Sequence, residues 1–497
     1  MLNLKHIVLT MSTCLTLSAC SIDDNDNNNQ SDLLNDELRQ VISAQNIKVL
    51  TVPDSTPSVE SNIVQLGKKL FFTKALSGNM DTACASCHHP NLGGGDDLPL
   101  PIGVEALNTE LLGPGRLHAA TGGHHDGGPT VPRNAPTTFN FGFYDKAIFH
   151  DGRIENHASS PARGGVNDPI RTPDVMFADD DPKAGANLAA AQARFPVTSA
   201  EEMRGFTFEA NNSNADVRAH LQARLQGTNN ELAKNEWLIE FQTGFSDTNG
   251  TAESLITFDN IAFAMGEYER SQVLVDIPWH DYLNGDNNAI SESAKRGALL
   301  FYNSADAGGF GCASCHSGAF FTDEKYHVIA IPQIGRGKGD GVTGDDDFGR
   351  FRETKVEDDK YAFRTSHLVN ITDTAPYGHD GAYATLNDMV KHHLNAEQAI
   401  ADYVAADVQT GIQTDNWQAN TNAALAQLKS LRTQGKSQLL DHSFTETDVD
   451  DVVAFLKALE DPCTQSPSCM NKWSPAADEA DPDGLRLIAV DAQGNLL

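Results

Sequence analysis

Apolar and polar positions recur with helical period along 258–273, FDNIAFAMGEYERSQV, and again along 448–459, DVDDVVAFLKAL. Thr445 or Thr447 is placed to cap the second of these helices. Two shorter amphipathic stretches, Gly67–Phe72 (GKKLFF) and Gly297–Tyr302 (GALLFY), each predict a helix leading to the same pentapeptide, CASCH. Long glycine-rich loops are expected over 91–135, 160–200 and 332–350. The expected fold is therefore mainly α, with long loops between helices.

The first apolar run, Ile7 to Leu17, follows Lys5 and is too short to cross a bilayer as a permanent helix. It ends in Leu17-Ser-Ala-Cys20, which predicts a lipoprotein signal peptide over 1–20 with Cys20 as the lipidated first residue. The Asn- and Asp-rich sequence that follows makes 21–57 an expected flexible tether. Ser21 after the lipidated cysteine fits sorting to the outer membrane, so the expected location is the periplasm, with the membrane met through lipid alone.

Length and charge narrow the picture. A chain of 497 residues has room for two cores and a small third. Acidic residues outnumber basic ones 68 to 36, which excludes nucleic acid as a partner because phosphate binding needs basic surface. The acidity gives either a plain solvated surface or a docking face for a basic redox protein. Of the cysteines, Cys14 leaves with the signal and Cys20 carries lipid. Cys463 and Cys469, in DPCTQSPSC, predict one disulfide in a C-terminal tail over 461–497.

The rest of the chain reads as two copies of one module. RNAPTTFN (133–140) and HDG (150–152) in the first half match RTSHLVN (364–370) and HDG (379–381) in the second. The stretch 282–291, YLNGDNNAIS, is the expected linker, giving an N-terminal domain over 58–284 and a C-terminal domain over 285–460. In each CASCH the two cysteines, Cys84 and Cys87 or Cys312 and Cys315, are spaced to form thioethers to a haem. The next residue, His88 or His316, then reaches the iron. Zinc would need a further Cys/His pair nearby. Two covalently bound haem c groups are expected.

With these motifs, and with FHDGR (149–153), FPVTSAEEMRG (195–205) and TAPYGHDGAYATL (374–386), the sequence over about 60–460 resembles the bacterial di-haem cytochrome c peroxidases and their MauG-like relatives. The resemblance implies two cytochrome-c-like helical haem domains in tandem, with their haems facing a shared interface. It makes Glu202, in preference to Glu201, the acid/base that moves a proton between the peroxide oxygens. Gln192 becomes a pocket hydrogen-bonder, with Pro196 between them. A carboxylate suits that work when burial raises its pKa. The family's peroxidases carry a distal histidine that leaves the first iron on activation. His118, His124 and His125 lie in the matching loop, with His125 nearest to RN; without such a ligand the iron is open, as in the MauG-like branch.

For the second haem the resemblance points to His393 as distal ligand, where the peroxidases have Met and the MauG-like branch has Tyr. Met389, one helical turn earlier, is the alternative. The choice matters because Met raises a haem's potential relative to His. His150 stands where the family has a relay tryptophan, leaving Phe149 or Tyr144 as other carriers. The family also holds one Ca²⁺ through an Asn side chain and two carbonyls, here Asn134, Thr374 and Pro376, an oxygen set that suits that ion.

The implied function is a lipid-anchored peroxidase. Hydrogen peroxide is reduced at the His88 haem, with electrons from a small donor protein (a cytochrome c or cupredoxin) relayed through the His316 haem. Two other readings stay open: a MauG-like oxidase that modifies a partner protein, and a plain di-haem electron carrier. The Gln192, Pro196 and Glu202 set argues against the carrier. The peroxidase branch commonly forms homodimers.

Overall fold

The computed structural model describes residues 24–122, 124–405, 408 and 411–497, with side chains from residue 31 onward. The expected signal peptide, with Cys14 and Cys20, lies outside the described residues. The chain is mainly helical. Helix α1 (Asp24–Gln45) precedes a first half built on α2 (Asn62–Phe72), α3 (Leu188–Gln192), α4 (Asn214–Gln226), α5 (Trp237–Gly244), α6 (Ala252–Leu255) and α7 (Phe258–Arg270). Helix α8 (Pro278–Leu283) leads into a second half of α9 (Glu292–Tyr302), α10 (Phe351–Thr354), α11 (Leu386–Leu394), α12 (Ala396–Asp402), α13 (Trp417–Thr433) and α14 (Glu446–Lys457). Short α15 (Pro467–Met470) lies in the tail. Small antiparallel sheets add β1 (Ala147–Ile148), β2 (Ile154–Asn156) and β3 (Ile170–Arg171) to the first half, and β4 (Tyr326–Val328) and β5 (Ala362–Arg364) to the second. The expected loop over 160–200 thus contains β3 and α3. Among the described residues no helix is long and apolar enough to cross a membrane.

The duplication read from the sequence is visible as one helix crossing made twice. Helix α2 packs on α7, and α9 packs on α14. A Cβ added at Gly67 would overlap the Ala264 carbonyl oxygen, and one at Gly297 would overlap that of Asp451. Glycine at these two positions lets each pair of backbones touch. Thr445, rather than Thr447, caps α14 through a reciprocal box with Asp448. Thr257 caps α7. Both α7 and α14 stop short of the predicted ends because the following residues turn out to bond an asparagine. Asn140 takes up Gln272 and Leu274, and Asn370 takes up Leu459 and Asp461.

The ends of the chain correct the expected tether and extend the expected tail. Helix α1 occupies much of the stretch read as a tether. It packs on α9, with Leu38 fully buried and Val41 and Ile42 against the same core. The Tyr282 hydroxyl donates to Asn35 Oδ1 at 3.1 Å, and the Arg39 guanidinium lies 4.2 Å from the Tyr282 ring centroid. The polar composition hid one stripe at i, i+3, i+6 and i+7 (Asn35, Leu38, Val41 and Ile42) that faces the core. The tail, with Cys463 and Cys469 disulfide-bonded, returns to the first half. There the Tyr268 hydroxyl donates to the Trp473 carbonyl at 2.7 Å, Trp237 Nε1 to Asp483 Oδ2 at 2.9 Å, and Leu487 N to the Phe72 carbonyl at 2.8 Å. Each end therefore clamps the opposite half. The apolar core is also continuous across the expected linker: Phe143, Ile148 and Leu188 share one cluster with Trp279, Phe301 and Phe455.

Candidate functional site

Each CASCH motif forms a tight 3₁₀ turn that fixes the next histidine. His88 N donates to the Cys84 carbonyl at 3.1 Å, and His316 N to the Cys312 carbonyl at 3.0 Å. The rings are then oriented alike. His88 Nδ1 donates to the Gly94 carbonyl at 3.2 Å and His316 Nδ1 to the Phe321 carbonyl at 3.1 Å, which leaves Nε2 of each free to bind a metal. Burial pushes both imidazoles down, His316 to about 4, so both are neutral, the form that ligates iron.

Two cavities open at these histidines. The first, about 110 Å³, is lined by Cys84, Cys87 and His88 together with Gln192, Pro196 and Glu202. The second, about 440 Å³, is lined by Cys312, Cys315, His316 and His393. The residues brought to the second cavity fit a haem. The His316 and His393 rings face each other with centroids 6.2 Å apart, a gap that admits one metal ion bonded at about 2 Å to each. His393 Nδ1 is occupied by the Met389 carbonyl at 2.9 Å, so its Nε2 is also free. Met389 lines the same cavity. His367 lines it too, and both its buried ring nitrogens lack a partner among the described residues, as expected where a cofactor's polar groups belong.

Glu202 is carried on a π-helical turn, Ala200–Arg204, started by the Ser199 hydroxyl. Such widened turns recur at functional sites because they redirect a side chain. Gly103 lets a neighbouring segment press on that turn, where a Cβ would overlap the Glu201 carbonyl. Burial raises the Glu202 carboxyl above its ordinary pKa, opposed by the nearby positive charges of Arg153 and Lys338. Glu201 instead accepts from the Ser199 hydroxyl at 3.2 Å and is not part of the cavity lining. Gln192, the last residue of α3, and Pro196, the first of a 3₁₀ turn, complete the set.

The cavities share a wall. Asn134, Pro136, Phe141, Phe149 and His150 line both. Burial pushes His150 down to about 4, and its neutral ring donates from Nε2 to the Asn134 carbonyl at 3.0 Å. Phe149 has φ +66°, unusual for a bulky residue, and its ring lies 3.6 Å from the Arg153 guanidinium. Arg364 holds this strained turn, donating from N to the His150 carbonyl at 2.8 Å and from Nε to the Phe149 carbonyl at 3.1 Å. Tyr144 lines the second cavity alone.

Asn134, Thr374 and Pro376 come together in the lining of the second cavity, with Asn134 Nδ2 donating to the Leu98 carbonyl at 2.9 Å. His125 departs from expectation. It is exposed and stacks on His118 at 5.3 Å between centroids; His118 in turn faces Glu105, and His124 stacks on Phe206 at 3.7 Å. These contacts hold all three histidines away from the first cavity's lining. Sequence reasoning missed Lys338, which reaches the first cavity from the second half's loop. A lysine between glycines carries no local signal. It also missed the buried ion cluster of Arg133 with Asp151 and Asp347, whose partners are distant in sequence.

Comparison with known proteins agrees with this geometry. Residues 61–288 match the family model of the di-haem cytochrome c peroxidases. The chain carries a domain of the di-haem cytochrome c peroxidase and MauG family. It is 27% identical over 334 residues to cytochrome c551 peroxidase of Pseudomonas aeruginosa, covering 67% of this chain and 72% of that protein. It is 27% identical over 362 residues to the methylamine utilization protein MauG of Methylophilus methylotrophus, covering 72% of this chain and 81% of that one. Its fold matches the crystal structure of a MauG-like protein associated with microbial copper homeostasis, with TM-score 0.53 at 22% identity over 88% of this chain and 97% of the other. That family carries two c-type haems, the number that the two CASCH motifs would hold.

Proposed function

We propose that this chain is a di-haem peroxidase that reduces hydrogen peroxide to water at the first cavity, with electrons delivered through the second. The observation that carries the reading is Glu202, half-buried and raised in pKa by desolvation, lining the His88 cavity beside Gln192 and Pro196. Haem iron bound at His88 supplies the electrons that peroxide takes up. Glu202 accepts a proton from the inner peroxide oxygen and returns it to the outer one, so that water is the leaving group. Gln192 hydrogen-bonds the ligand, and Pro196 keeps the wall apolar. The overall balance is one peroxide, two electrons and two protons to two waters.

Each member of the second site has a holding role. His316 and His393 would hold the second haem's iron, with Met389 the other candidate on α11. Phe149 and His150, in both linings, are the contact route between the sites, and a neutral imidazole is a poorer hole carrier than an indole. Asn134, Thr374 and Pro376 offer oxygens for one Ca²⁺ in the shared wall. A small cytochrome c or cupredoxin is the electron donor, drawn to a chain of formal net charge −32. Attachment to the periplasmic face of the outer membrane through Cys20 completes the reading.

A second reading, a MauG-like oxidase of a partner protein, is kept open by His150 and His393, which depart from the family pattern. Both readings need peroxide chemistry at Glu202. The test is stopped-flow absorbance of the haem-loaded protein mixed with stoichiometric peroxide, beside Glu202→Gln. Wild type should change spectrum rapidly and the variant about 100-fold more slowly or worse. Donor assays then divide peroxidase from protein oxidase. No reaction in the oxidised or half-reduced protein would leave only a di-haem electron carrier.

A further inference from the structure

The first cavity is completed by a residue from the other half of the molecule. Lys338 belongs to the glycine-rich loop over 332–350, yet it lines the His88 cavity with Arg153, Gln192 and Glu202. Its place is fixed by backbone on both sides. Lys338 N donates to the Asp346 carbonyl at 2.9 Å, and the Lys338 carbonyl accepts from Arg352 Nη1 at 2.8 Å. Gly337 and Gly339 flank it at φ +62° and +83°, and a Cβ at Gly337 would overlap the Asp345 carbonyl. The loop is tied to the first half by Asp347, which receives Arg133 Nε at 2.6 Å and Nη2 at 2.8 Å.

Charged groups of both signs surround this cavity. Arg133, Arg153 and Lys338 are its basic groups, Lys338 lowered in pKa by burial and by the charges of Arg133 and Arg153; Asp151, Asp347 and Glu202 are the facing carboxylates. Burial works against ionising Asp151 and Asp347, but Arg133 outweighs it and holds both well below the usual carboxylate range. Glu202 is pushed the other way by burial, and Glu269, also in the lining, is pushed up to about 8. His150 and His379 are driven down by burial to about 4 and about 3, so neither adds charge at neutral pH. Glu201 is turned to Ser199.

Arg153 is already engaged, stacked on Phe149 and bonded to Asp151 at 3.3 Å. Lys338 Nζ makes no ion pair or hydrogen bond among the described residues. Lys338 is half-buried, and an ammonium held at a cavity wall with its donors free is suited to receive an anion.

We propose that Lys338 is a ligand-positioning residue that makes the first cavity a binding site for small anions, the hydroperoxide anion among them. Naming hydroperoxide rests on the peroxidase reading; the anion site does not. Because the lysine comes from the second half, the open face of one site is built by the half that carries the other.

The test is equilibrium binding of azide to the haem-loaded full chain, followed by absorbance, in wild type, Lys338→Met and Lys338→Arg. Imidazole at pH 8 serves as the neutral ligand. Lys338→Met should weaken azide about tenfold or more while Lys338→Arg stays within about threefold, as expected for loss and retention of one nearby charge. Imidazole binding should be unchanged in both. Azide affinity unchanged in Lys338→Met overturns the proposal, as does parallel weakening of azide and imidazole, which marks a role in shape alone. A wild type that takes no azide overturns it as well. The two readings fail separately. A protein that binds azide through Lys338 but ignores peroxide keeps the anion site and loses the peroxidase. One that reacts with peroxide but binds azide without regard to Lys338 loses the anion site alone.

Discussion

Asn140 and Asn370 donate their side-chain amides to one acceptor, the Leu274 carbonyl, at 3.0 and 2.9 Å. Both residues are buried and sit in the left-handed region, at φ +60° and +63°. Asn140 N donates to the Gln272 carbonyl and its Oδ1 receives Leu274 N at 2.9 Å; Asn370 N donates to the Leu459 carbonyl and its Oδ1 receives Asp461 N at 2.7 Å. Each asparagine thus ends the last helix of its half, α7 or α14, and the two meet at a single point between the halves. A short amide that both donates and accepts, and that tolerates positive φ, meets both demands.

Replacing either asparagine with alanine should destabilise the protein by about 2–4 kcal/mol, from buried backbone groups left unpaired and from loss of the amide that makes positive φ tolerable. Because the two share Leu274, the double variant should cost less than the sum. Urea unfolding midpoints of the haem-loaded protein check this. Strict additivity would mean that the shared carbonyl does not couple the halves.

The buried guanidinium of Arg133 bonds Asp151 at 2.6 Å and grips Asp347 with two donors. Removing it leaves buried Asp347 without a cation and Asp151 with only the longer Arg153 contact at 3.3 Å, so Arg133→Met should cost about 3–5 kcal/mol. Arg133→Lys keeps the charge but not the fork and should fall between. Since Asp347 anchors the loop that carries Lys338, limited proteolysis within 332–350 should speed up in the same order. Cleavage at the wild-type rate in Arg133→Met would show the loop to be held by other bonds.

What was legible in the sequence was local or repeated. Periodicity gave α7 and α14, and GKKLFF and GALLFY gave the ends of α2 and α9. RNAPTTFN and RTSHLVN each end on the asparagine that closes its half. The unread parts needed distant partners. Nothing near Lys338 announces that it faces Glu202, and the Asn/Asp-rich composition of α1 concealed the stripe that packs on α9. The His125 expectation followed sequence proximity to Arg133, whereas local stacking on His118 decides where that ring goes.

The two HDG aspartates hold opposite charge states. Asp151 is kept ionised by Arg133, but Asp380 has no arginine, and burial pushes it from an ordinary 3.8 up to about 8 while it accepts Ile334 N at 2.9 Å. The folded chain therefore holds a proton on Asp380 that the unfolded chain has released. This contribution to stability is fully present below about pH 3.8 and is lost as pH rises through about 8. The slope across that window is about 1.4 kcal/mol per pH unit. Asp380→Asn keeps the acceptor for Ile334 and removes the proton. Unfolding midpoints between pH 5 and 8 should fall less steeply in the variant than in wild type. Parallel slopes would show that Asp380 is ionised in the folded protein.

His393 decides the character of the second site. Its ring faces His316 at 6.2 Å with Nδ1 fixed on the Met389 carbonyl. A histidine on each face of an iron gives a lower potential than a histidine and a methionine. His393→Met should therefore raise the potential of the second haem in a redox titration, while the first haem is unmoved. His393→Gly should leave a vacant face into which added imidazole binds, restoring the wild-type spectrum of that haem. The two variants separate ligand identity from mere packing, since a packing residue would respond to neither. A potential unmoved by methionine, together with no imidazole uptake in the glycine variant, would place Met389 on that iron instead, because it is the other ligand-bearing side chain that α11 presents to the cavity.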